Sequence, residues 1–132
     1  MASGEDRVHD LWIVGAGPAG MSCALQGVRD GLDLVLAGDE PAGGLLPAAR
    51  RIDNLAGLPG VTGRALAGRM ARQLAERGVV VRRGRVVGLR RADGFFRGLL
   101  DDGAQVVARA VCLATGTRPR PWPPGGGRDV PR

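Results

Sequence analysis

Three glycines near the start of the chain have the spacing of a phosphate-binding turn. Gly15, Gly17 and Gly20 form a G-x-G-x-x-G pattern directly after the apolar run 11–14. In this pattern the first glycine permits a tight strand-to-helix turn, the second permits close approach of a pyrophosphate, and the third permits close packing of helix on strand. Pro18 fits the first helical turn, where a backbone N–H has no helical partner. The pattern predicts a dinucleotide site at a helix N-terminus.

The elements around the glycines have the order that such a site requires. Apolar residues at helical spacing predict a helix from Met21 to Arg29, and an apolar segment predicts a second strand from Asp33 to Ala37. Together with the first strand they form a βαβ unit of about 30 residues. Because a chain with 23 glycines also produces this spacing by chance, a βα turn without a ligand is the alternative.

The positive charge of the chain comes from arginine alone. The 132 residues contain 19 basic side chains, all of them arginine, against 13 acidic ones, and the net charge is +6. The arginines are spread along the chain, and two tryptophans and two phenylalanines are too few to stack bases. We therefore expect no nucleic-acid function, since a basic surface suits a phosphate-bearing cofactor or an acidic partner chain equally well.

Composition also bears on the other function classes. No apolar run reaches the 18 residues of a membrane span, and the polar leader 1–9 does not resemble a signal peptide, so we expect a cytoplasmic protein without membrane contact. Cys23 and Cys112 fall in predicted regular elements, where we expect buried structural thiols. With His9 as the one histidine and no C-x-x-C pair, we expect no metal site.

The remaining pattern predicts one α/β domain over residues 10–117, followed by a Pro/Gly/Arg-rich tail at 118–132. A long glycine- and proline-rich connection leads to a helix from about Arg64 to Arg77, which Thr62 caps. Strands are predicted at Val79–Val81 (as a central parallel strand), Val86–Leu89, Phe95–Leu100, Gln105–Ala108 and Ala110–Ala114. Because D-G pairs mark hairpins, the fold is expected to be a parallel sheet with helices on its faces and a small antiparallel β-meander inserted before the last strand.

From about residue 10 to residue 121 the chain resembles the N-terminal part of the flavin domain of the thioredoxin reductase family. The motifs occur in the family's order: G-A-G-P-A-G at 15–20, G-G-x-L at 43–46, I-x-N-x-x-G at 52–57, G-x-x-L-x-x-x-M at 63–70 and L-A-T-G at 113–116. The resemblance implies a Rossmann-like FAD/NAD(P)-binding domain, FAD as the cofactor, and an NAD(P)H-linked oxidoreductase.

The resemblance also implies which residues bind FAD, although it identifies no catalytic residue. The glycine turn would bind the pyrophosphate, the G-G loop would follow the phosphates and ribityl chain, and the last strand end would close over the cofactor. The implied residues are Gly15, Ala16, Gly17, Pro18, Ala19, Gly20, Gly43, Gly44, Leu45, Asn54 near the isoalloxazine ring, Val80 or Val81 against the adenine, Ala114, Thr115 and Gly116. For Asn54, a loop asparagine that bonds its own backbone is the alternative.

Three departures from the family pattern bear on function. The acid expected after the second strand to hold a ribose hydroxyl is replaced by Ala37 and Gly38, so only Asp39 or Glu40, from the loop, could take that role. Leu45 stands where family members often have a glutamine. The family's nicotinamide domain, redox C-x-x-C and second flavin segment have no counterpart in these 132 residues.

These features leave more than one functional expectation open. The leading one is an FAD-binding oxidoreductase component, completed by a partner chain, forming a homodimer, or acting as a stand-alone flavin module. The alternative is a truncated, non-catalytic dinucleotide-binding module with a regulatory role or with no function. A Rossmann-type NAD(P) module is a third candidate, against which the G-G loop and the A-T-G strand end both argue.

Overall fold

A computed structural model describes residues 7–38 and 41–118. The elements are β1 (Val8–Val14), α1 (Pro18–Arg29), β2 (Leu34–Gly38), a 3₁₀ turn (Leu46–Ala48), α2 (Gly63–Glu76), β3 (Val81–Arg83), β4 (Val86–Ala92), β5 (Phe95–Leu100) and β6 (Gln105–Leu113). The strands form one sheet in the order β3-β2-β1-β6-β5-β4. The pairs β3–β2, β2–β1 and β1–β6 are parallel, whereas β6–β5 and β5–β4 are antiparallel. The predicted α/β fold with a parallel sheet and an antiparallel meander is confirmed.

β1 lies in the middle of the sheet because its side chains are apolar on both faces. Ile13 packs into a core with Met21 of α1 and Leu36 of β2. Trp12 and Val14 belong to a second core, on the opposite face of the strand. Side chains alternate between the faces of a strand, so a strand that is buried on both sides has a continuous apolar sequence.

The meander covers the face of the parallel strands that α1 leaves open. Leu100 of β5 and Val106 of β6 share the second core with Trp12. Gly98 of β5 lies directly against the Trp12 ring, since a methyl carbon at this glycine would be 1.9 Å from two of the ring carbons. The absence of a side chain at Gly98 therefore makes room for the indole, and the meander is fixed to the parallel sheet at this point.

Two sequence-based expectations about the strands are wrong. The segment Val79–Val81 is not a central strand, because β3 begins at Val81 and lies at the edge of the sheet. The two strands predicted at 105–108 and 110–114 are one, β6, which no turn interrupts. The first half of β6 pairs with β5, and the same strand pairs with β1 from Val107 to Leu113. Long-range pairing of this kind is not encoded in local periodicity.

The predicted helix cap and first hairpin are confirmed. The Thr62 hydroxyl accepts a hydrogen bond from the backbone N–H of Ala65 at 3.2 Å and begins α2. Asp93 and Gly94 both have positive φ values, 54° and 81°, which a tight two-residue turn between antiparallel strands requires. Among the described residues, no helix is long and apolar enough to cross a membrane.

Candidate functional site

A cavity of about 1020 Å³ opens where β1, β2 and β6 end. These strands are parallel, so their carboxyl ends meet at one edge of the sheet, the usual position of ligand sites in open α/β sheets. The predicted site residues that line the cavity are Gly15, Ala16, Gly17, Pro18, Ala19, Gly44, Leu45, Ala114, Thr115 and Gly116. The structure therefore brings the glycine turn, the G-G loop and the last strand end together around one space.

Backbone hydrogen bonds hold the walls of this cavity in place. The N–H of Gly15 donates to the carbonyl of Ala37 at 2.7 Å, which links the turn to β2. The N–H of Gly43 donates to the carbonyl of Ala16 at 2.8 Å, which holds the G-G loop against the turn. The last strand end is fixed in the same way, because Ala114 donates to the carbonyl of Val14 at 2.8 Å.

The fold itself requires glycine at two of the three motif positions. Gly15 has φ +111°, and a methyl carbon there would lie 2.1 Å from the carbonyl oxygen of Ala114. At Gly20 a methyl carbon would lie 1.8 Å from the carbonyl oxygen of Gly15, because α1 crosses the turn at this residue. Neither distance is possible between real atoms, so both glycines are explained by packing within the protein.

Gly17 differs from the other two motif glycines. Its backbone is extended, with φ −78° and ψ −176°, a conformation open to any residue. A methyl carbon at Gly17 would have one neighbour within 4 Å, the Cα of Gly44 at 4.0 Å. Packing therefore does not require glycine here, and a side chain would occupy the cavity instead.

The N-terminus of α1 presents free hydrogen-bond donors to the cavity. The first helical N–H groups have no partners within a helix. Within residues 7–38 and 41–118, no backbone carbonyl accepts a hydrogen bond from the N–H of Gly17 or Ala19. The helix dipole adds a positive potential at the same end, so the cavity is suited to an anionic group.

Side-chain charge in the cavity is positive as well. Arg85, which follows β3, and Arg118 both line the cavity, and both are exposed. Among the described lining residues there is no carboxylate to oppose them. Free donors, helix dipole and two guanidinium groups together favour a ligand that carries phosphates.

Two predicted site residues, Gly20 and Gly43, do not line the cavity but help to position the segments that do. Gly20 lets α1 pack on the turn, and Gly43, with φ +134°, positions the G-G loop. Asp39 and Glu40 lie outside the described residues. In the described part of the chain, no group of three or more His, Cys, Asp or Glu side chains could hold a metal ion.

The geometry does not bring Asn54, Val80 or Val81 to this cavity. Asn54 is exposed in the loop before α2 and is not among the lining residues. Val80 is 82% exposed, and with Val81 it lines a separate cavity of about 790 Å³ beside β2. The ligand contacts proposed for these three residues stay predictions that the described geometry does not favour.

Sequence reasoning missed the turn between β3 and β4. Gly84, Arg85 and Val86 line the main cavity in place of the two valines before them. Gly84 has φ +143°, and a hydrogen bond from the N–H of Arg85 to Asp101 Oδ1 at 2.9 Å helps to fix the turn. An isolated glycine three residues after the valine run 79–81 was the available signal, since a glycine in a strand pattern often marks a bulge or bend.

Comparisons with known proteins agree with this fold, although no family model matches the chain. The thioredoxin reductase of Peptoclostridium acidaminophilum is 32% identical over 116 residues, which are 87% of this chain and 36% of that protein. The thioredoxin reductase structure from Lactococcus lactis has a TM-score of 0.83 at 27% identity, and the match covers 89% of this chain and 39% of that one. The thioredoxin reductase structure from T. acidophilum has a TM-score of 0.82 at 30% identity, and the match covers 92% of this chain and 40% of that one.

This chain therefore spans a little over a third of the length of the relatives it matches. Sequence and fold together identify the chain as a relative of the thioredoxin reductases that corresponds to the N-terminal part of the FAD domain in that family.

Proposed function

We propose that this chain binds FAD in the cavity at the ends of β1, β2 and β6 and is the flavin-binding part of an oxidoreductase. Gly17 is the observation that carries the proposal. The fold explains glycine at positions 15 and 20, but a methyl carbon at 17 would only touch the Cα of Gly44, at 4.0 Å, and would clash with nothing. Close approach of a ligand to the backbone accounts for the missing side chain.

The chain's own groups would bind the pyrophosphate of the cofactor from more than one side. Backbone N–H groups of Gly17 and Ala19, with the dipole of α1, would bind the pyrophosphate. Arg85 and Arg118 would balance its charge from the other walls of the cavity. When bound, a flavin supplies hydride acceptance and electron transfer, while the protein positions it and controls access.

FAD is favoured over a nicotinamide dinucleotide by the second glycine loop. Gly44, with φ +55°, brings its backbone to the glycine turn, since a methyl carbon on it would be 3.2 Å from the Cα of Gly17. The two backbone segments thus pack against each other at one side of the cavity, and a ligand in the cavity would contact both, as the resemblance to the thioredoxin reductases implies for FAD. A Rossmann-type NAD(P) module would use the first turn alone.

We propose further that a segment of another polypeptide covers the open side of this cavity. Leu45 and Leu113 both line the cavity and are 65% and 66% exposed. Beyond Ala108, β6 pairs with β1 on one edge only among the described strands, which leaves backbone groups of 110–113 free. A strand from a partner chain or a second copy would pair with this edge and bury both leucines.

The test is equilibrium FAD titration of the full chain, followed by flavin fluorescence, with Gly17→Ala and the control Gly68→Ala. Gly68 lies on α2 with nothing within 4 Å of its position, so its variant should bind as the wild type does. Loss of close approach at Gly17 should weaken binding at least about tenfold, or about 1.4 kcal/mol, with an unchanged circular dichroism spectrum. Equal affinity of the two variants would contradict the site.

A thermal-shift comparison separates the alternative functions. Stabilisation by FAD and not by NADPH supports the flavin site, and the reverse result would favour an NAD(P) module. If neither ligand binds the chain alone, or the chain with its co-purifying partner, the non-catalytic alternative is supported. The partner proposal is tested by light scattering, which should give a mass above that of one chain; a monomer that binds FAD fully would contradict it.

A further inference from the structure

Two cysteines that are far apart in sequence meet where α1 packs against β6. Both were expected to be buried structural thiols, but Cys23 and Cys112 are each only partly buried and are free. Both pack against the core that α1 forms with the parallel strands. The nearness of the two side chains follows from the packing of α1 on the sheet, since both contact the same group of buried residues.

The packing of α1 explains why the two side chains meet. Cys112 pairs with Ile13 in the register of β6 and β1, so it lies beside Ile13 in the sheet. Gly20 of α1 lies over Ile13, since a methyl carbon at Gly20 would be 3.4 Å from the Ile13 Cγ2. Cys23 follows Gly20 by three residues and is therefore on the same face of the helix. The thiol of Cys23 on α1 therefore faces β6, the strand that carries Cys112.

We infer that Cys23 and Cys112 form a redox-sensitive pair that closes to an intramolecular disulfide when the protein meets a peroxide. One thiol loses its proton, its thiolate attacks the peroxide, and the O–O bond breaks; a sulfenic acid forms, and the leaving hydroxide takes up a proton to become water. The second thiol then attacks the sulfenic sulfur, the S–S bond forms, and a second water leaves. In total two thiols lose two electrons, and one hydrogen peroxide becomes two waters.

The bond would join the two walls of the cavity. Cys23 lies on α1, whose first residues line the cavity, and Cys112 lies two residues before Ala114. A covalent link between them would hold the helix N-terminus and the last strand end at a fixed separation. This role concerns the apoprotein as much as any loaded form, so it does not depend on the proposed cofactor.

The reactivity of the pair should depend on pH. Burial raises the pKa of the Cys23 thiol, and the neighbouring Cys112 raises it further. Because the thiolate is the reacting form and the pKa of Cys23 is raised, bond closure should become faster as pH rises.

The experiment is peroxide treatment of the full chain at low protein concentration, with thiol counting and intact mass measurement. We expect two reactive thiols before treatment and none after it, a mass lower by about 2 Da, and recovery with a reductant. Peptide mapping without reductant should find the peptide of Cys23 joined to that of Cys112. The oxidised chain should also have a Tm higher by about 5 °C or more, because the link closes a long loop.

Matched variants separate this bond from other oxidation products. Cys23→Ser and Cys112→Ser each keep one thiol, so neither should lose mass or gain Tm on treatment. If the folded wild type keeps both thiols under conditions that oxidise free cysteine, or forms disulfides only between molecules, the inference is overturned. Because the readouts are thiols, mass and Tm, a failed FAD titration would leave this result unaffected.

Discussion

A single methyl group placed on each of the two helices should have opposite effects on stability. At Gly20 the added carbon would lie 1.8 Å from the carbonyl oxygen of Gly15 and 3.0 Å from its carbon. The atoms that the new methyl would meet belong to the backbone and cannot rotate away, so α1 has to move by roughly 1 Å or more from a close-packed sheet. Overpacking of this kind costs up to about 3 kcal/mol, and the helix propensity of alanine returns about 1 kcal/mol. We expect Gly20→Ala to lower the free energy of unfolding by about 2 kcal/mol.

Gly68→Ala provides the matched comparison on α2. This glycine is exposed, and no atom lies within 4 Å of the position of the new methyl. The higher helix propensity of alanine is then not offset by any clash, and it should raise the free energy of unfolding by about 1 kcal/mol. Urea titrations followed by circular dichroism should separate the two variants by about 3 kcal/mol. If Gly20→Ala is as stable as the wild type, the close crossing of α1 over the turn is refuted.

Three further substitutions test other contacts. Gly98→Ala should lower Tm, because its methyl would overlap the buried Trp12 ring, and loss of the near-ultraviolet tryptophan signal should accompany the change. Thr62→Ala removes the cap of α2 and should cost about 1 kcal/mol in a urea titration, which Thr62→Ser should largely avoid. Asp33 has two opposing influences on its pKa: burial raises it, but bonds to Arg7 and His9 outweigh burial and lower it. A carboxyl with a lowered pKa stabilises the fold above its unfolded pKa of about 3.9 and loses that contribution as pH falls below it. The stability advantage of wild type over Asp33→Asn, less than about 1 kcal/mol for so exposed a group, should therefore be present at pH 7 and vanish at pH 2 to 3.

Local sequence signals were sufficient for most of the elements. The apolar run of β1, the glycine turn, the capping residue Thr62 and the Asp93-Gly94 hairpin all act within a few residues, and the structure contains each of them. The turn and the strand end that line the cavity are local motifs as well, so the sequence alone was sufficient to single them out.

Features that depend on distant packing could not be predicted in this way. The sequence of Val79–Val81 is that of a buried strand, yet only Val81 belongs to a strand, and that strand, β3, lies at an edge with no strand beyond it among the described ones. Likewise nothing near Cys23 or Cys112 in the sequence indicates that they meet. Their proximity depends on how α1 packs on the sheet, and the glycine at position 20 determines how closely the helix approaches it.

The register of β6 also has a consequence for the order in which the chain gains structure. Val14 pairs with Leu113, roughly a hundred residues later, and such distant pairings slow folding because a long loop must close first. During synthesis β1 can pair with β2 early, but its other edge and the Trp12 indole have no cover until β5 and β6 have left the ribosome. A nascent chain paused between β2 and β6 would therefore expose an apolar strand with one unpaired edge. Surfaces of this kind are bound by chaperones and otherwise promote aggregation.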